Sequence, residues 1–436
     1  MSPLNKRSTG LNARARAHTI LHEVVDQHRP LDDVLHSDKK LAKLSSRDRA
    51  FARNLVATTL RRMGQIDMII DDCLDRPLPP SAAAARNALR LGICQILFLN
   101  TQTHAAVDTS VTLAGQRGPD RFRGLVNGIL RRVVRTAGDM HLSPDAERAN
   151  TPSWLRNSWT ESFGEQVAAG IARAHLQPPT VDLTVPADRE TWSAMLGGNV
   201  IGKATVRLAS GGDIMSLPGF AEGAWWVQDA AAALPAQLFS QLVGDARVAD
   251  LCAAPGGKTA QLAAAGYNLT ALDIEPNRLR TLSENLRRLR LNATIVEADL
   301  LSWQPNHLFE GVLLDAPCTG TGTIRRHPDI PILKSGADVT RQSNIQREFL
   351  DRASRLLAPG GTLIYSVCSM ERSEGPDQID ALLSRNDKLD IEPVRPTEVP
   401  GFEACIDALG CIRTTPFHMS AAGGVDGFYI ARLLKK

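Results

Sequence analysis

The sequence predicts a multidomain protein of mixed α and α/β class, and three observations carry that prediction. Helical periodicity continues from residue 11 to about 136, shorter strand and helix patterns follow to about 240, and apolar strands then alternate with helices. At roughly 150 residues per domain, a chain of 436 residues is long enough for two or three folded units. We expect a helical domain over 1–140, a linker with a small α/β subdomain over 141–240, and a doubly wound α/β domain over 241–436.

The composition excludes several classes of protein. Hydrophobic residues make up 43% and charged residues 22%, which is typical of a globular protein and not of a collagen-like, disordered or disulfide-scaffold chain. The most apolar stretch, 81–100, carries Arg86 and Arg90, whereas a membrane span needs about 18 apolar residues with almost no charge. We therefore expect a core helix here and no membrane partner.

The cysteines and the amino-terminal residues favour a reducing compartment. Seven cysteines are an odd number and show no small-domain spacing, which predicts free thiols. Residues 1–16 contain no apolar segment of the kind that secretory signals have. The expected location is the cytoplasm. The sequence is silent about oligomeric state, and our expectation is a monomer.

The first domain is predicted to be a bundle whose helices each bury one face. After Ser45 and Ser46, with Asp48 placed for a capping box, apolar side chains recur at i, i+3, i+4, i+7, i+8 and i+11. Two later stretches repeat this pattern, whereas prolines interrupt it at 77–80 and residues 138–152 are polar enough for a linker. The three stripes consist of Ala52, Leu55, Val56, Thr59, Leu60 and Met63; of Leu89, Ile93, Ile96 and Leu97; and of Val126, Leu130 and Val133.

Basic residues are clustered although the formal net charge is only +3. Binding of a polyanion would therefore depend on local patches, and both clusters lie in the predicted helical domain. Solvated helix faces often carry the same residues, so charge alone leaves a nucleic-acid interface and an ordinary surface both open. The clusters are Arg14, Arg16, Lys39, Lys40, Lys43, Arg47, Arg49, Arg53, Arg61 and Arg62, and then Arg117, Arg121, Arg123, Arg131, Arg132 and Arg135.

Beyond residue 153 the pattern changes to strands and helices. A small α/β unit is predicted from helices near 161–175 and 189–196 and from strands near 180–185 and 205–208. Further along, short apolar runs separated by helices indicate parallel strands buried on both faces, which is the doubly wound architecture. These strands are expected at 247–251, 269–274, 294–296, 311–314 and 362–367.

The strongest local signal is a glycine loop between the first of these strands and a helix. Glycines let a ligand approach the backbone closely, and the helix start presents free N–H groups. A P-loop fits every position but the first, where Cys252 replaces glycine, and a dinucleotide fingerprint is absent. The third interpretation is a loop for S-adenosyl-methionine. The loop consists of Cys252, Ala253, Ala254, Pro255, Gly256, Gly257 and Lys258.

Acidic residues after the second and third strands, taken together with the glycine loop, favour a nucleoside cofactor, whereas the one after the fourth strand does not. Asp273, with Glu275 beyond it, ends the second strand, where folds of this class grip ribose hydroxyls. Asp299 follows the third strand, where it can accept a hydrogen bond from an adenine amino group, although a loop aspartate is more often a turn residue. Asp315 ends the fourth strand as a Walker B aspartate does, which is the best remaining argument for an NTPase.

Two cysteines stand just past the ends of parallel strands, where the active sites of open α/β sheets lie. Cys318 ends the motif D-A-P-C, and Cys368 lies in Y-S-V-C-S. A thiolate that adds to carbon 6 of a pyrimidine makes carbon 5 a nucleophile towards a methyl group, and a second group must then help to expel the enzyme. Lys258 is a candidate neighbour for the thiolate, and Asp315 can hold the cytosine amino edge. The spacing leaves open which cysteine attacks.

The motifs together resemble a known family. C-A-A-P-G-G-K at 252–258, D-A-P-C at 315–318, R-R-H-P-D at 325–329 and C-S at 368–369 are similar to those of the bacterial 16S rRNA (cytosine-5)-methyltransferases of the Sun/Fmu group. The resemblance spans nearly the whole chain, and V-N-G-I-L-R at 126–131 looks like the NusB-type domain of that group. It implies a NusB-like helical RNA-binding domain, a small α/β RNA-binding connector and a Rossmann-like methyltransferase domain.

The resemblance also implies a cofactor, a substrate and residue roles. Cys368 would be the nucleophile and Cys318 would assist release of the product, with Asp315 and Lys258 in the same catalytic centre. The implied substrate is 16S ribosomal RNA, with cytosine 967 as the target. One departure is Val367, which stands where the family usually has threonine. The residues implied to bind S-adenosyl-L-methionine are Cys252 to Lys258, Asp273, Asp299 and Asp315.

Other functions remain open beside this one. An RNA-associated P-loop-like NTPase would use Lys258, and a non-catalytic RNA-binding factor would need the amino-terminal region alone. A cytosine-5 methyltransferase could also act on a different RNA. A mechanism of the DNA-methyltransferase type would make Cys318 the attacking thiol and leave Cys368 idle.

The remaining candidate residues are expected to be structural. His18 and His22 stand at i and i+4, but the glutamate of H-E-x-x-H is missing, and no metal site is expected. Trp225 and Trp226 are expected to fill a domain junction and not to stack on bases. The structural cysteines are Cys73, Cys94, Cys405 and Cys411.

Overall fold

The structure, a computed structural model, describes four stretches of the chain. They are residues 3–140, 146–209, 211–239 and 241–436, and the side chains of residues 3–10 and 138–140 are not included. Part of the predicted linker over 138–152 therefore lies outside the described residues. Within these stretches, no helix combines the length and the apolar character that crossing a membrane requires.

Two units make up the chain. Unit 1 consists of residues 1–178 and 324–334, and unit 2 consists of residues 179–323 and 335–436. The polypeptide thus leaves unit 2 after Thr323, contributes a short segment to unit 1, and returns to unit 2.

Unit 1 is helical in its described part. One apolar cluster forms its core and includes the leucines and isoleucines of the three predicted stripes, which confirms the predicted bundle. The helices are α1 (Pro3–Val25), α2 (Leu31–Ser37), α3 (Lys39–Ala42), α4 (Ser46–Arg61), α5 (Met63–Asp72), α6 (Ala83–Leu97), α7 (Thr103–Arg117), α8 (Arg123–Met140), α9 (Ala146–Asn150), α10 (Ser153–Phe163), α11 (Glu165–His175) and, in the inserted segment, α16 (Ile330–Leu333).

Helix α4 and the pair α10 and α11 show how local sequence sets helix boundaries. The Ser45 hydroxyl accepts a hydrogen bond from the N–H of Asp48 at 3.1 Å, so Ser45 caps α4 as predicted. Met63 was expected at the end of the same stripe but begins α5, because the chain leaves the helical conformation at Arg62. The predicted helix near 161–175 is two helices, since Gly164 adopts φ +80° between them.

The segment 324–334 is held in unit 1 by side chains that bond to backbone groups. The Asp329 carboxylate accepts a hydrogen bond from the N–H of Leu31 at 2.9 Å, and the Arg61 guanidinium donates to the carbonyl of Arg325 at 2.7 Å. Asp329 and Arg325 are buried. The motif R-R-H-P-D is therefore part of the packing of unit 1, a contact that sequence patterns did not predict.

Unit 2 begins with a four-stranded antiparallel sheet in the order β2-β3-β1-β4. Trp225 packs with the core of this sheet and Trp226 packs with the leucines of α15, so both tryptophans are core residues of unit 2. The elements are β1 (Asp182–Thr184), α12 (Arg189–Leu196), β2 (Gly198–Ile201), β3 (Thr205–Leu208), β4 (Trp226–Val227) and α13 (Leu234–Gln237).

The second sheet of unit 2 has eight strands, and seven of them follow the order β10-β12-β9-β8-β5-β6-β7. The five strands from β9 to β7 are parallel, which confirms the doubly wound prediction. Antiparallel strands β10, β11 and β12 extend one edge and were not predicted. The elements are β5 (Arg247–Leu251), α14 (Gly257–Ala264), β6 (Asn268–Asp273), α15 (Pro276–Leu289), β7 (Thr294–Glu297), β8 (Phe309–Asp315), α17 (Gly336–Leu356), β9 (Leu357–Val367), α18 (Pro376–Arg385), β10 (Leu389–Ile391), β11 (Ile412–Thr414) and β12 (Phe428–Lys435).

A buried ion pair ties the small sheet together. Both carboxylate oxygens of Asp182 accept hydrogen bonds from Arg207 at 2.7 Å, and one of them also accepts the N–H of Ala230 at 3.1 Å. The Asp182 side chain is 0% exposed and that of Arg207 is 5% exposed. Removal of either partner therefore leaves the other charge without compensation in the interior.

We expect Asp182→Ala to lower the free energy of unfolding by about 3–5 kcal/mol, since it leaves the Arg207 charge buried and unpaired. Urea denaturation followed by tryptophan fluorescence measures this, because Trp225 packs in the same sheet. The control is Asp390→Ala, which removes a surface pair with Lys436 whose side chains are 62% and 58% exposed. That variant should lose less than about 1 kcal/mol. Equal losses in the two variants would contradict the assignment.

Candidate active site

The candidate site lies where the order of the parallel strands reverses. Strand β5 pairs with β6 on one side and with β8 on the other, so a crevice opens at their carboxyl ends. The glycine loop leaves β5 at this point, and α14 begins at Gly257. Gly256 adopts φ +103°, and a Cβ there would lie 3.0 Å from Leu282, so this turn requires glycine.

Thr259 distinguishes this loop from a P-loop. In a P-loop the hydroxyl after the lysine binds Mg²⁺, but the Thr259 hydroxyl donates to the Asp250 carboxylate at 2.6 Å. Both side chains are fully buried, and burial raises the pKa of Asp250 to about 7 even though this hydrogen bond opposes the shift. Lys258, which would bind phosphates, is bonded to Asp315. The two side chains that a P-loop would present to Mg²⁺ and phosphate are therefore bonded to carboxylates of this domain, and this disfavours the NTPase interpretation.

Asp273 lies beside the glycine loop at the end of β6, as predicted. One carboxylate oxygen accepts the N–H of Ala254 and the other accepts the N–H of Glu275, both at 3.1 Å. Asp273 is 3% exposed, whereas the next residue, Ile274, is 60% exposed. A buried carboxylate next to an exposed apolar side chain suits the ribose and the flat base of an adenosyl group.

Asp299 takes part in a turn. Its carboxylate accepts the N–H of Leu301 at 3.0 Å, and its carbonyl accepts the N–H groups of Ser302 and Trp303. The side chain is exposed and follows β7, the strand next to β6. The structure therefore shows the common turn role of a loop aspartate, with the side chain exposed.

Lys258, Asp315 and Ser366 form a hydrogen-bonded chain across the crevice. The Lys258 ammonium donates to one oxygen of Asp315 at 2.8 Å, and the Ser366 hydroxyl donates to the other at 2.7 Å. The pKa of Lys258 is raised: burial alone would lower it, but Asp315 outweighs burial and Cys368 adds to the effect. The Lys258 ammonium also stands 5.2 Å from the centroid of the Phe428 ring.

The two predicted thiols lie side by side. Cys318 follows β8 and Cys368 follows β9, and their Sγ atoms are 3.4 Å apart. The contact with Cys368, and then burial, hold the pKa of Cys318 well above its usual range, and the Glu374 carboxylate acts in the same direction. Cys318 therefore keeps its proton at neutral pH, and the Lys258 ammonium lies near Cys368.

The loop after Cys318 is packed against the loops that flank it. The N–H of Gly322 donates to the carbonyl of Cys368 at 2.9 Å. A Cβ on Gly322 would lie 1.9 Å from the carbonyl oxygen of Gly427, so only glycine allows this close approach. The Gly322 N–H thus holds the Cys368 carbonyl, while Gly427, in the turn before β12, packs against Gly322 and donates its N–H to the Gly322 carbonyl at 2.8 Å.

The predicted residues of the crevice come together in unit 2, but sequence reasoning missed three of their neighbours. Ser366 is the second-last residue of β9, and Cys368 lies just past the end of that strand. Phe428 and Glu374 carry no pattern that could have indicated them.

The other candidates have structural roles. The His18 ring nitrogen contacts the carbonyl of Ala84 at 2.8 Å, and His22 pairs with Asp26. Cys94, Cys405 and Cys411 are buried, whereas Cys73 is partly exposed. Across the described stretches, no three or more His, Cys, Asp or Glu side chains are grouped so that they could hold a metal ion.

Two known protein families match this chain, one over its amino-terminal region and one over its carboxyl-terminal region. Residues 238–434 match the family described as 16S rRNA methyltransferase RsmB/F, and residues 11–135 match the NusB family. The chain is 31% identical over 443 residues to ribosomal RNA small subunit methyltransferase B of Cronobacter sakazakii, covering 98% of this chain and 99% of the relative. It is 32% identical over 442 residues to the protein of that name from Escherichia coli O1:K1, with the same coverage.

Solved structures share the fold. The crystal structure of PH0851 matches with a TM-score of 0.75 at 22% identity and covers 98% of each chain. A methyltransferase homolog from Pyrococcus horikoshii matches with a TM-score of 0.53 at 27% identity, covering 64% of this chain and 94% of its own. NSun6 from Pyrococcus horikoshii, solved with SFG, matches with a TM-score of 0.55 at 18% identity, covering 65% of this chain and 98% of its own.

Near-complete coverage by curated relatives, a NusB match in unit 1 and an RsmB/F match in unit 2 agree with the glycine loop and the paired thiols of the crevice. This chain therefore belongs to the ribosomal RNA small subunit methyltransferase B family, and it is an S-adenosyl-methionine-dependent rRNA methyltransferase.

Proposed function

We propose that this enzyme methylates carbon 5 of a specific cytosine in 16S rRNA through a covalent adduct between Cys368 and carbon 6 of the base. The observation that carries the proposal is the pair of thiols 3.4 Å apart beside the bonded Lys258 and Asp315. Two thiols suit a reaction in which one adds to the ring and another group assists its release. By family resemblance the target is cytosine 967.

The cofactor is assigned to the crevice at the strand ends. The loop from Cys252 to Lys258 would face the methionine end, and Asp273 with the exposed Ile274 would hold the adenosyl group. Asp299 would reach the adenine, and Asp315 would border the reacting methyl group. When bound, S-adenosyl-methionine supplies an electrophilic methyl group. The tight turn at Gly256 and the bonds from Asp273 hold the loop in one shape for this ligand.

The chain's own residues prepare the target base. The Cys368 sulfur would add to carbon 6 and so place electron density on carbon 5, with Lys258, held by Asp315, beside it. Asp315, oriented by Ser366, would hold the amino edge of the cytosine and so distinguish it from uracil. In the release step a base from solvent takes the carbon 5 proton, the electrons of that C–H bond form the carbon 5–carbon 6 double bond, and the carbon 6–sulfur bond breaks. Cys318, which keeps its proton and lies 3.4 Å from Cys368, would donate a hydrogen bond to the departing sulfur.

The rRNA is assigned to the basic surface of the helical domain. We propose domains over 1–140, 141–240 and 241–436, the first two of which contact RNA. Arg131, Arg132 and Arg135 are exposed along α8 and would meet phosphates. Because both faces of the target ring must be reached, the cytosine would be single-stranded or flipped from a stem. The enzyme would work as a cytoplasmic monomer without a metal.

The thiol roles predict different outcomes for two variants. Cys368→Ala should abolish methyl transfer from labelled S-adenosyl-methionine to unmethylated 16S rRNA, because no adduct forms. Cys318→Ala should accumulate a covalent protein–RNA adduct, visible as a band of reduced mobility on denaturing gels. Cys73→Ala is the control, since Cys73 follows α5 in unit 1, whereas both thiols of the crevice belong to unit 2. If Cys318→Ala is inactive and Cys368→Ala traps the adduct, the roles are reversed; transfer to another RNA alone would refute the 16S assignment.

The cofactor assignment predicts that Asp273→Ala weakens binding of S-adenosyl-methionine by about tenfold or more, since the loss of at least 1.4 kcal/mol in contacts corresponds to that factor. Isothermal titration calorimetry measures the dissociation constant. Glu310→Gln is the control, because Glu310 pairs with Arg247 at the amino end of the neighbouring strands. Unchanged affinity in Asp273→Ala would place the adenosyl group elsewhere.

The RNA interface predicts a salt-dependent affinity. Replacing both Arg131 and Arg132 with glutamine should reduce the slope of log K against log salt by about 1–2, as expected when up to two phosphate contacts are lost. Fluorescence anisotropy with a hairpin that contains the target cytosine gives the slope. Lys436→Gln, an exposed residue of unit 2, is the control. An affinity that does not change with salt would refute phosphate contact.

A further inference from the structure

A buried carboxylate lies beneath the two cysteine loops. Glu374 is 0% exposed and stands in the turn before α18. It accepts four hydrogen bonds: from the N–H of Thr319 at 2.9 Å, from the Thr319 hydroxyl, from the Ser369 hydroxyl at 2.5 Å, and from the Gln346 amide at 3.1 Å. An ionised carboxylate accepts about four such bonds, so these donors saturate it.

The donors come from the residues that directly follow each thiol. Thr319 follows Cys318, and Ser369 follows Cys368, so a single carboxylate bonds to both loops. Gln346 of α17 supports it from a third element and also donates to the carbonyl of Pro317 at 2.9 Å, just before Cys318.

Further hydrogen bonds extend the same network. The Thr321 and Ser369 hydroxyls lie 3.3 Å apart, and the Thr321 hydroxyl accepts the N–H of Met370 at 3.0 Å. The carbonyl of Glu374 accepts the Tyr365 hydroxyl at 2.6 Å, which ties the carboxylate's own backbone to β9. The two cysteine loops are therefore held relative to each other by hydrogen bonds to the same carboxylate.

We propose that Glu374 is a positioning residue that sets the separation and orientation of the Cys318 and Cys368 thiols. Its relevance to catalysis rests on the proposed function, since only a reaction that uses both thiols needs a fixed separation and orientation between them. Glu374 touches neither sulfur through a hydrogen bond and acts through Thr319 and Ser369.

Single-turnover methyl transfer at saturating cofactor and RNA tests the proposal. Glu374→Ala should slow this step by about a hundredfold, the cost of misplacing a reacting group by about 1 Å, while both dissociation constants stay within about threefold. Glu374→Gln should retain most of the rate, because a glutamine oxygen still accepts from Thr319 and Gln346 while its amide can donate to the hydroxyls. Wild-type rates in Glu374→Ala, or equal losses in both variants, would overturn the proposal.

Smaller changes test the network without removing the buried charge. Thr319→Val and Ser369→Ala should each slow single turnover by about tenfold, because each removes one donor to the carboxylate. In the Glu374→Ala background, Ser369→Ala should cost nothing more, since its partner is already gone. The control is Glu398→Gln, a buried carboxylate paired with Arg432 in the same unit, which should lower stability and leave the rate unchanged. Additive losses would contradict the network.

A cross-linking measurement separates this inference from the proposed function. Diamide oxidises two neighbouring thiols to a disulfide and is itself reduced to the hydrazine, and thiols 3.4 Å apart should link readily. Peptide mass spectrometry should find the Cys318–Cys368 link in the wild type and in Glu374→Gln and at least tenfold less in Glu374→Ala. This readout holds even if cytosine methylation fails, and equal yields in all three proteins would refute positioning by Glu374.

Discussion

The site depends on the partly buried contact between the Lys258 ammonium and the Asp315 carboxylate. Removing two charges from water is costly, and the contact compensates for this only when the remaining hydrogen-bonding positions are also filled. The Ser366 hydroxyl fills one of them. Lys258 lies in α14, which follows β5, and Asp315 ends β8, the neighbouring strand. The contact can therefore form only when the glycine loop and the D-A-P-C loop are both folded.

The glycine loop is shaped by polar groups buried behind it. Thr259 reaches back to Asp250 inside the strand, and Asp273 binds the N–H of Ala254 from the neighbouring strand. These bonds use the groups that a P-loop would present to phosphate and Mg²⁺. The two loops are similar in sequence, but the same residue types have different partners in each. The hydrogen-bond partners of Thr259 and Lys258 are what distinguish this loop from a P-loop.

Local periodicity was sufficient to predict much of the architecture. The stripe from Ala52 to Leu60 and the five parallel strands were predicted because each pattern is contained within one element. Strands β10 and β11 escaped prediction because each has only 3 residues, too few for a strand pattern to register. The packing of 324–334 in unit 1 escaped prediction for a different reason, since Asp329 bonds to Leu31 across almost 300 residues.

The residues of the candidate site were likewise only partly predictable from the sequence. The glycine loop and the two thiols were recognisable because the residue types themselves carry the chemistry at the ends of strands. Ser366 and Glu374 are common polar residues, and their roles come from partners, Asp315 in one case and Thr319 in the other, that only the folded chain brings near. No composition or spacing rule could have indicated them.

The two thiols have different surroundings although their sulfur atoms lie only 3.4 Å apart. The pKa of Cys318 is held well above its usual range, first by the contact with Cys368, then by burial, and with a smaller contribution from Glu374. Cys368 in turn lies near the Lys258 ammonium. Two thiolates in contact would repel each other, so a charge on one thiol favours the protonated form of the other. In the proposed reaction Cys368 would bond to the base while Cys318 stays a thiol, and the two loops would have to hold both sulfurs beside the same ring.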